Sequence, residues 1–142
     1  MKEKNAKNED LTPAEVTPVK KLKILIVEDD ETSEMFISIA VKIFEKEIIS
    51  IRTGTEAVAA CLNNPDIDLV LMDIQLPEMD GYEATRQIRK FNKDIIIIAQ
   101  TAYALEGDKE KAITAGCDDY ISKPIKKEEL FEKIEKLIGS GE

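Results

Sequence analysis

The sequence predicts an α/β protein in which five parallel strands form one doubly wound sheet covered on both faces by five helices. Three observations predict it. Short aliphatic runs alternate with stretches of helical spacing from Leu22 to Ile138. Runs three and four are apolar throughout, and run one is apolar but for Lys23, rather than at every second position, as strands buried on both faces require. Finally, Glu28, Asp29, Asp73, Thr101 and Lys123 each stand at the C-terminal end of a strand-like run. Open parallel sheets build their sites at that edge.

Residues 1–20 are polar, carry Pro13 and Pro18 and lack apolar periodicity, which predicts a tail or interdomain linker. Residues 22–27 form the first strand. Residues 31–46 have helical spacing, with Thr32 or Ser33 near the start, and residues 48–52 form the second strand. A helix over 54–62 closes at Asn63-Asn64-Pro65. The third strand, 69–72, ends in Asp73; a loop over 75–81 leads to a helix over 82–91. The fourth strand, 95–99, is almost purely β-branched. A helix over 105–115 ends before Gly116, a position that favours a left-handed residue. Residues 119–122 are a short fifth strand, 126–138 the last helix and 139–142 a tail. Strands alternating with helices imply right-handed crossovers and a parallel sheet. The expected arrangement is flavodoxin-like, order 2-1-3-4-5, with one domain over residues 21–138. Its switch point lies between strands one and three and brings Glu28 and Asp29 beside Asp73.

Composition removes several function classes. At 142 residues, with 43% apolar residues and no Trp, the chain suits one domain with an aliphatic core. A net charge of −9 disfavours a nucleic-acid surface and suits a bound cation. No run is long enough to span a membrane, and the charged N-terminus has no apolar signal segment, so a cytoplasmic location is expected. Cys61 and Cys117 lack metal or redox spacing and read as packed thiols. Histidine is absent. Any phosphohistidine must therefore belong to a partner.

The acids at the strand ends define a chemistry. Two carboxylates about 4 Å apart repel by roughly 4 kcal/mol at an effective dielectric near 20. Three in one cleft call for a hard divalent cation with oxygen ligands, Mg²⁺ or Mn²⁺. Asp73 is then placed to act as a nucleophile toward a phosphoryl group. Thr101 can donate a hydroxyl hydrogen bond to an added phosphate oxygen, and Lys123 supplies a mobile point charge for another.

The stretches Ile24-Leu-Ile-Val-Glu-Asp-Asp30, Leu69-Val-Leu-Met-Asp-Ile-Gln-Leu-Pro-Glu-Met-Asp-Gly81, Gln100-Thr-Ala102 and Asp119-Tyr-Ile-Ser-Lys-Pro124 resemble the receiver domain of two-component response regulators. The resemblance covers about residues 21–138, with four motifs in order. It implies that Asp73 accepts a phosphoryl group from a partner's phosphohistidine. It implies Mg²⁺ held by Asp29, Asp73 and the backbone carbonyl of Gln75, with Glu28 reaching it through water. It implies that Lys123 pairs with the phosphate and that its bond to Pro124 is cis. It also implies a switch in which Thr101 moves toward the phosphate and Tyr120 turns inward, remodelling the surface of helix four, strand five and helix five. Gln75, Ala102 and Tyr103 flank the expected path of hydrolytic water.

Helix one adds a separate signal. Phe36, Ile37, Ala40, Val41 and Phe44 cover one face, and Met35, Ile39 and Ile43 widen the apolar arc beyond one sheet contact. Those three predict a docking patch for a histidine-bearing helical bundle, from either a kinase dimerisation domain or a histidine phosphotransfer domain.

Two other functions use the same fold class. A metal-dependent phosphatase with an aspartyl nucleophile usually carries a second acid two residues on, where this chain has Gln75. A flavin carrier needs a Ser, Thr and Gly-rich first loop, where this chain has Glu28-Asp29-Asp30. The expectation is a receiver that is not a free-standing enzyme, limited to self-phosphotransfer and autodephosphorylation, and monomeric. The Asp80-Gly-Tyr-Glu-Ala-Thr85 and Thr101-Ala-Tyr-Ala-Leu-Glu-Gly-Asp108 segments resemble receivers of hybrid histidine kinases. That context is favoured, in the cytoplasmic part of a membrane-anchored kinase, over a stand-alone regulator. Only a short tail follows the last helix, so no DNA-binding output domain is expected.

Overall fold

A computed structural model describes residues 19–102 and 106–139 of the chain. The predicted tails therefore lie almost wholly outside the described residues, as do Tyr103 and the expected start of the fourth helix at Leu105.

The elements are β1 (Leu22–Val27), α1 (Glu31–Ala40), a 3-10 turn (Lys42–Phe44), β2 (Glu45–Ile51), α2 (Gly54–Asn63), β3 (Leu69–Asp73), α3 (Gly81–Arg89), β4 (Ile96–Thr101), α4 (Asp108–Ala115), β5 (Asp119–Ser122) and α5 (Lys127–Gly139). All four strand pairings are parallel, and the order is β2-β1-β3-β4-β5. Fold class, strand order and helix count match the expectation.

Strand parity divides the core into two layers. Leu25, Val27, Val70, Met72, Ile97 and Ala99 face Ala57 of α2, Ala84 and Ile88 of α3 and Ala112 of α4. Ile24, Ile26, Leu69, Leu71, Ile98 and Ile121 face Ile37 of α1 and Leu130 and Ile134 of α5. This double burial accounts for the continuous apolarity of the central strands. Cys61 and Cys117 are free, buried thiols, each pushed up to about 11 by burial. No helix among the described residues is long and apolar enough to cross a membrane.

The first helix is shorter than its sequence pattern. It ends at Ala40, with Val41 at φ −100°, ψ 10°, and the next turn tightens so that β2 starts at Glu45 rather than Ile48. β-branched Val41 and Ile43 lower the helical preference there. Tertiary contacts decide the rest: Phe44 is fully buried, its ring 5.1 Å from that of Phe131 on α5, and Glu45 already pairs with Leu22. Phe36 also departs from expectation. It is exposed, like Met35 and Ile39 on the same helix and Ile43 in the turn that follows. The N-cap of α1 is Asp30, whose carboxylate accepts from Ser33 N at 2.8 Å. β4 extends two residues past Ala99 because Gln100 pairs with Asp73 and Thr101 with Ser122.

Candidate functional site

The carboxyl ends of β1, β3, β4 and β5 converge on one pocket. The chain leaves β1 through Glu28, whose N–H donates to Ile51 O at 2.9 Å and so prolongs the ladder by one residue. Glu28 is 1% exposed; its Oε2 accepts from Asp30 N at 3.1 Å. Arg52, just past β2, donates from Nη2 to the backbone oxygen of Asp29 at 2.7 Å. The loop is thus tied down on both sides, while the Asp29 side chain stays exposed.

Asp73 ends β3 and is 2% exposed. Its Oδ1 accepts from Gln75 N at 3.1 Å, and its Oδ2 from Lys123 Nζ at 3.3 Å. The same ammonium donates to Glu28 Oε1 at 2.9 Å. The turn after Asp73 needs Gly81: a Cβ there would lie 2.4 Å from the Asp73 carbonyl oxygen and 2.8 Å from Ile74 Cα. Carboxylate oxygens of Glu28, Asp29 and Asp73 lie within 4.8 Å of one another. Three hard oxygen donors at that spacing fit Mg²⁺ or Mn²⁺ and no soft metal.

Burial, and next the charge of Glu28, raise the Asp73 carboxyl to about 6; Lys123 opposes the rise. Burial disfavours the Lys123 ammonium, yet its hydrogen bond to Glu28 and the two carboxylate charges prevail and hold it above the usual lysine value. The pocket is therefore short of positive charge even with Lys123 in place.

Thr101 is buried at the end of β4, one residue past the register partner of Asp73. It continues the Ile97 and Ala99 row, on the face that carries half-buried Tyr120 of β5. Lys123 N donates to Thr101 O at 2.7 Å, and the Lys123–Pro124 bond is cis, in accord with the sequence resemblance. Met35 and Ile39 on α1, and Ile43 in the 3-10 turn that follows it, are all exposed. A groove of about 560 Å³ runs from that helix to the pocket, lined by Thr32, Ser33, Phe36, Lys123, Pro124 and Ile125.

The sequence reading left Arg52 and Gln100 without a role. Arg52 could have been found as a base after β2, opposite an acidic triplet. Gln100 could have been found as an amide closing an otherwise apolar strand.

The family model of the response regulator receiver domain matches residues 24–135. This chain belongs to the response regulator receiver domain family. It is 42% identical over 125 residues to hybrid signal transduction histidine kinase G of Dictyostelium discoideum, covering 84% of this chain and 4% of that protein. It is 39% identical over 121 residues to the polar-differentiation response regulator DivK of Brucella ovis, covering 83% of this chain and 97% of that one. The receiver thus spans a small fraction of the kinase and nearly all of the regulator. Among solved structures, it is similar to the Saccharomyces cerevisiae complex of a histidine phosphotransfer signaling protein and the receiver domain of its downstream response regulator. That match has a TM-score of 0.78 and 32% identity, covering 85% of this chain and 91% of the other. A receiver domain of a Pseudomonas aeruginosa sensor histidine kinase, solved with a magnesium ion in its active-site cleft, gives a TM-score of 0.74 and 36% identity, covering 84% and 98%. The protein is a receiver of two-component signalling, and neither the phosphatase nor the flavin-carrier reading draws support from these relatives.

Proposed function

We propose that this receiver accepts a phosphoryl group from a partner's phosphohistidine onto Asp73 in a Mg²⁺-dependent phosphorelay. The observation that carries the reading is a buried Asp73 whose two oxygens face a backbone N–H and the Lys123 ammonium, with Glu28 and Asp29 within ligand distance. Glu28, Asp29, Asp73 and the backbone carbonyl of Gln75 would hold the cation, with Glu28 acting through water. When bound, the ion lowers the charge on Asp73 and draws electron density from the incoming phosphoryl oxygens.

An oxygen of Asp73 attacks phosphorus and forms the P–O bond while the partner's P–N bond breaks. The imidazole nitrogen keeps the electron pair and takes a proton. Lys123 then pairs with a phosphoryl oxygen, and the Thr101 hydroxyl donates to another. Hydrolysis of the acyl phosphate by water resets Asp73. Movement of Thr101 leaves space on the α2–α4 face for Tyr120 to turn inward, a shift between two packed arrangements that alters the α4, β5 and α5 surface.

Met35, Ile39 and Ile43, with Phe36, receive the apolar face of a helical bundle bearing the histidine, from a kinase dimerisation domain or a histidine phosphotransfer domain. The groove from Phe36 to Lys123 gives the imidazole its path to Asp73. The receiver-bound phosphotransfer protein of yeast supports this class of partner. We read the chain as the cytoplasmic receiver of a hybrid histidine kinase, on its identity to the Dictyostelium protein. The near-complete match to DivK supports a stand-alone regulator as the second reading. Neither makes this domain a free-standing enzyme.

Acetyl phosphate with Mg²⁺ tests the proposal. Incorporation by the full chain, lost on chelation and in Asp73→Asn, supports it; equal incorporation by Asp73→Asn overturns it.

A further inference from the structure

Gln100 is 1% exposed, and neither its side-chain oxygen nor its nitrogen has a hydrogen-bond partner among the described residues. A buried carboxamide left in that condition is destabilising, and an aliphatic side chain would remove the cost. Its place in the sheet gives a reason for it. Gln100 is the register partner of Asp73 on one side and of Ile121 on the other. By strand parity it lies on the α1–α5 face, the face shared by Leu71, Ile98 and Ile121. Lys123 follows Ile121 by two residues and continues the same row.

Strands lie about 4.8 Å apart. To reach Asp73 at the end of β3 and Glu28 just past β1, the Lys123 side chain passes over the end of β4, where strand parity puts Gln100 and Ala102 in the same row. Ala102 offers only a methyl group there and lines the groove together with Lys123. Gln100 is then the polar side chain of β4 nearest the path of the ammonium. An ammonium has three donors. Here two of them meet Glu28 and Asp73. Once Asp73 carries a phosphoryl group and Glu28 faces a cation, those two acceptors are no longer both available.

We propose that Gln100 is a positioning residue for Lys123, its side-chain oxygen accepting from the ammonium once that ammonium leaves Glu28 for the phosphoryl group on Asp73. The inference rests on Asp73 being the acceptor. It assigns the polar end of β4 a part in aiming the lysine, one that no aliphatic side chain could fill.

Gln100→Met keeps shape and volume and removes the amide. In the full chain with acetyl phosphate and Mg²⁺, the maximal rate of incorporation falls about tenfold, the scale of a hydrogen bond to a charged group. The half-saturating acetyl phosphate concentration stays at the wild-type value, and thermal stability is equal or higher. In wild-type protein, the side-chain NH₂ resonances of Gln100, identified by their loss in Gln100→Met, shift when beryllofluoride and Mg²⁺ are added. A maximal rate equal to wild type, or NH₂ resonances unmoved by beryllofluoride, overturns the proposal while wild-type incorporation keeps the receiver reading intact. Absence of incorporation by wild-type protein overturns both.

Discussion

Lys123 Nζ sits 2.9 Å from Glu28 Oε1, across 95 positions of sequence, and the same nitrogen reaches Asp73 Oδ2 at 3.3 Å. One ammonium therefore holds two almost fully buried carboxylates together. Removing it leaves both uncompensated. Lys123→Met is expected to lower stability in metal-free buffer by about 3 kcal/mol, the scale for breaking a buried ion pair. Millimolar Mg²⁺ restores part of the loss, because a cation takes over the screening. Urea midpoints with chelator and with Mg²⁺ check this; an unchanged metal-free midpoint contradicts it.

The raised Asp73 carboxyl gives a pH dependence whose sign follows from linkage. Its ordinary value is 3.8 and its folded value is about 6, so the folded state favours the protonated form. Below the ordinary value both states hold the proton and nothing is lost. As pH rises from there to about 6, folding must deprotonate a buried group, and stability falls by at most about 3 kcal/mol. Asp73→Asn avoids that loss. In metal-free buffer the variant is expected to melt several degrees above wild type at pH 7.5, with the gap closing toward pH 4 (about 2–8 °C per kcal/mol for domains of this range). Thermal melts across pH measure it, and a pH-independent gap contradicts it.

The turn between β3 and α3 stores strain at one residue and forbids a side chain at another. Glu78 is exposed at φ 71°, in the left-handed region that costs a non-glycine residue about 1 kcal/mol. Glu78→Gly is expected to gain about 0.5–1 kcal/mol in urea unfolding. Gly81→Ala acts oppositely, because its Cβ would meet backbone atoms of Asp73 and Ile74 that cannot move without shifting the proposed acceptor. It is expected to cost more than about 2 kcal/mol and to slow labelling by acetyl phosphate.

The proposed docking patch on α1 can be tested apart from the chemistry at Asp73. Ile39 is 64% exposed, and Met35, Phe36 and Ile43 near it are exposed too. Ile39→Asp is expected to slow phosphoryl transfer from a phosphorylated histidine phosphotransfer protein by about tenfold or more, as loss of an apolar anchor does. Labelling by acetyl phosphate should match wild type. Equal losses with both donors contradict a docking role.

The fold and much of the pocket were legible because they follow from local pattern. Continuous aliphatic runs marked β1, β3 and β4, and chemistry-bearing residues fell at strand ends where parallel topology gathers them. What sequence missed depends on contacts between distant segments. The end of α1 is set by Phe44 meeting Phe131 and by Glu45 pairing with Leu22. Phe36 fits the helical period of the buried face, yet the path of α1 over the sheet leaves it outside. Arg52 gained meaning only when its guanidinium was found on the Asp29 carbonyl. Gln100 gained it when both neighbours in the sheet were known.

The central claim is that Glu28, Asp29 and Asp73 form a pocket for a divalent cation beside the acceptor oxygen. Anomalous diffraction from crystals soaked in Mn²⁺ tests it most directly. The predicted result is one strong peak at coordination distance from Asp29, Asp73 and the Gln75 carbonyl oxygen, with Glu28 behind a bridging water. A Mn²⁺ peak elsewhere, with this pocket empty at a concentration that supports phosphorylation, contradicts the account.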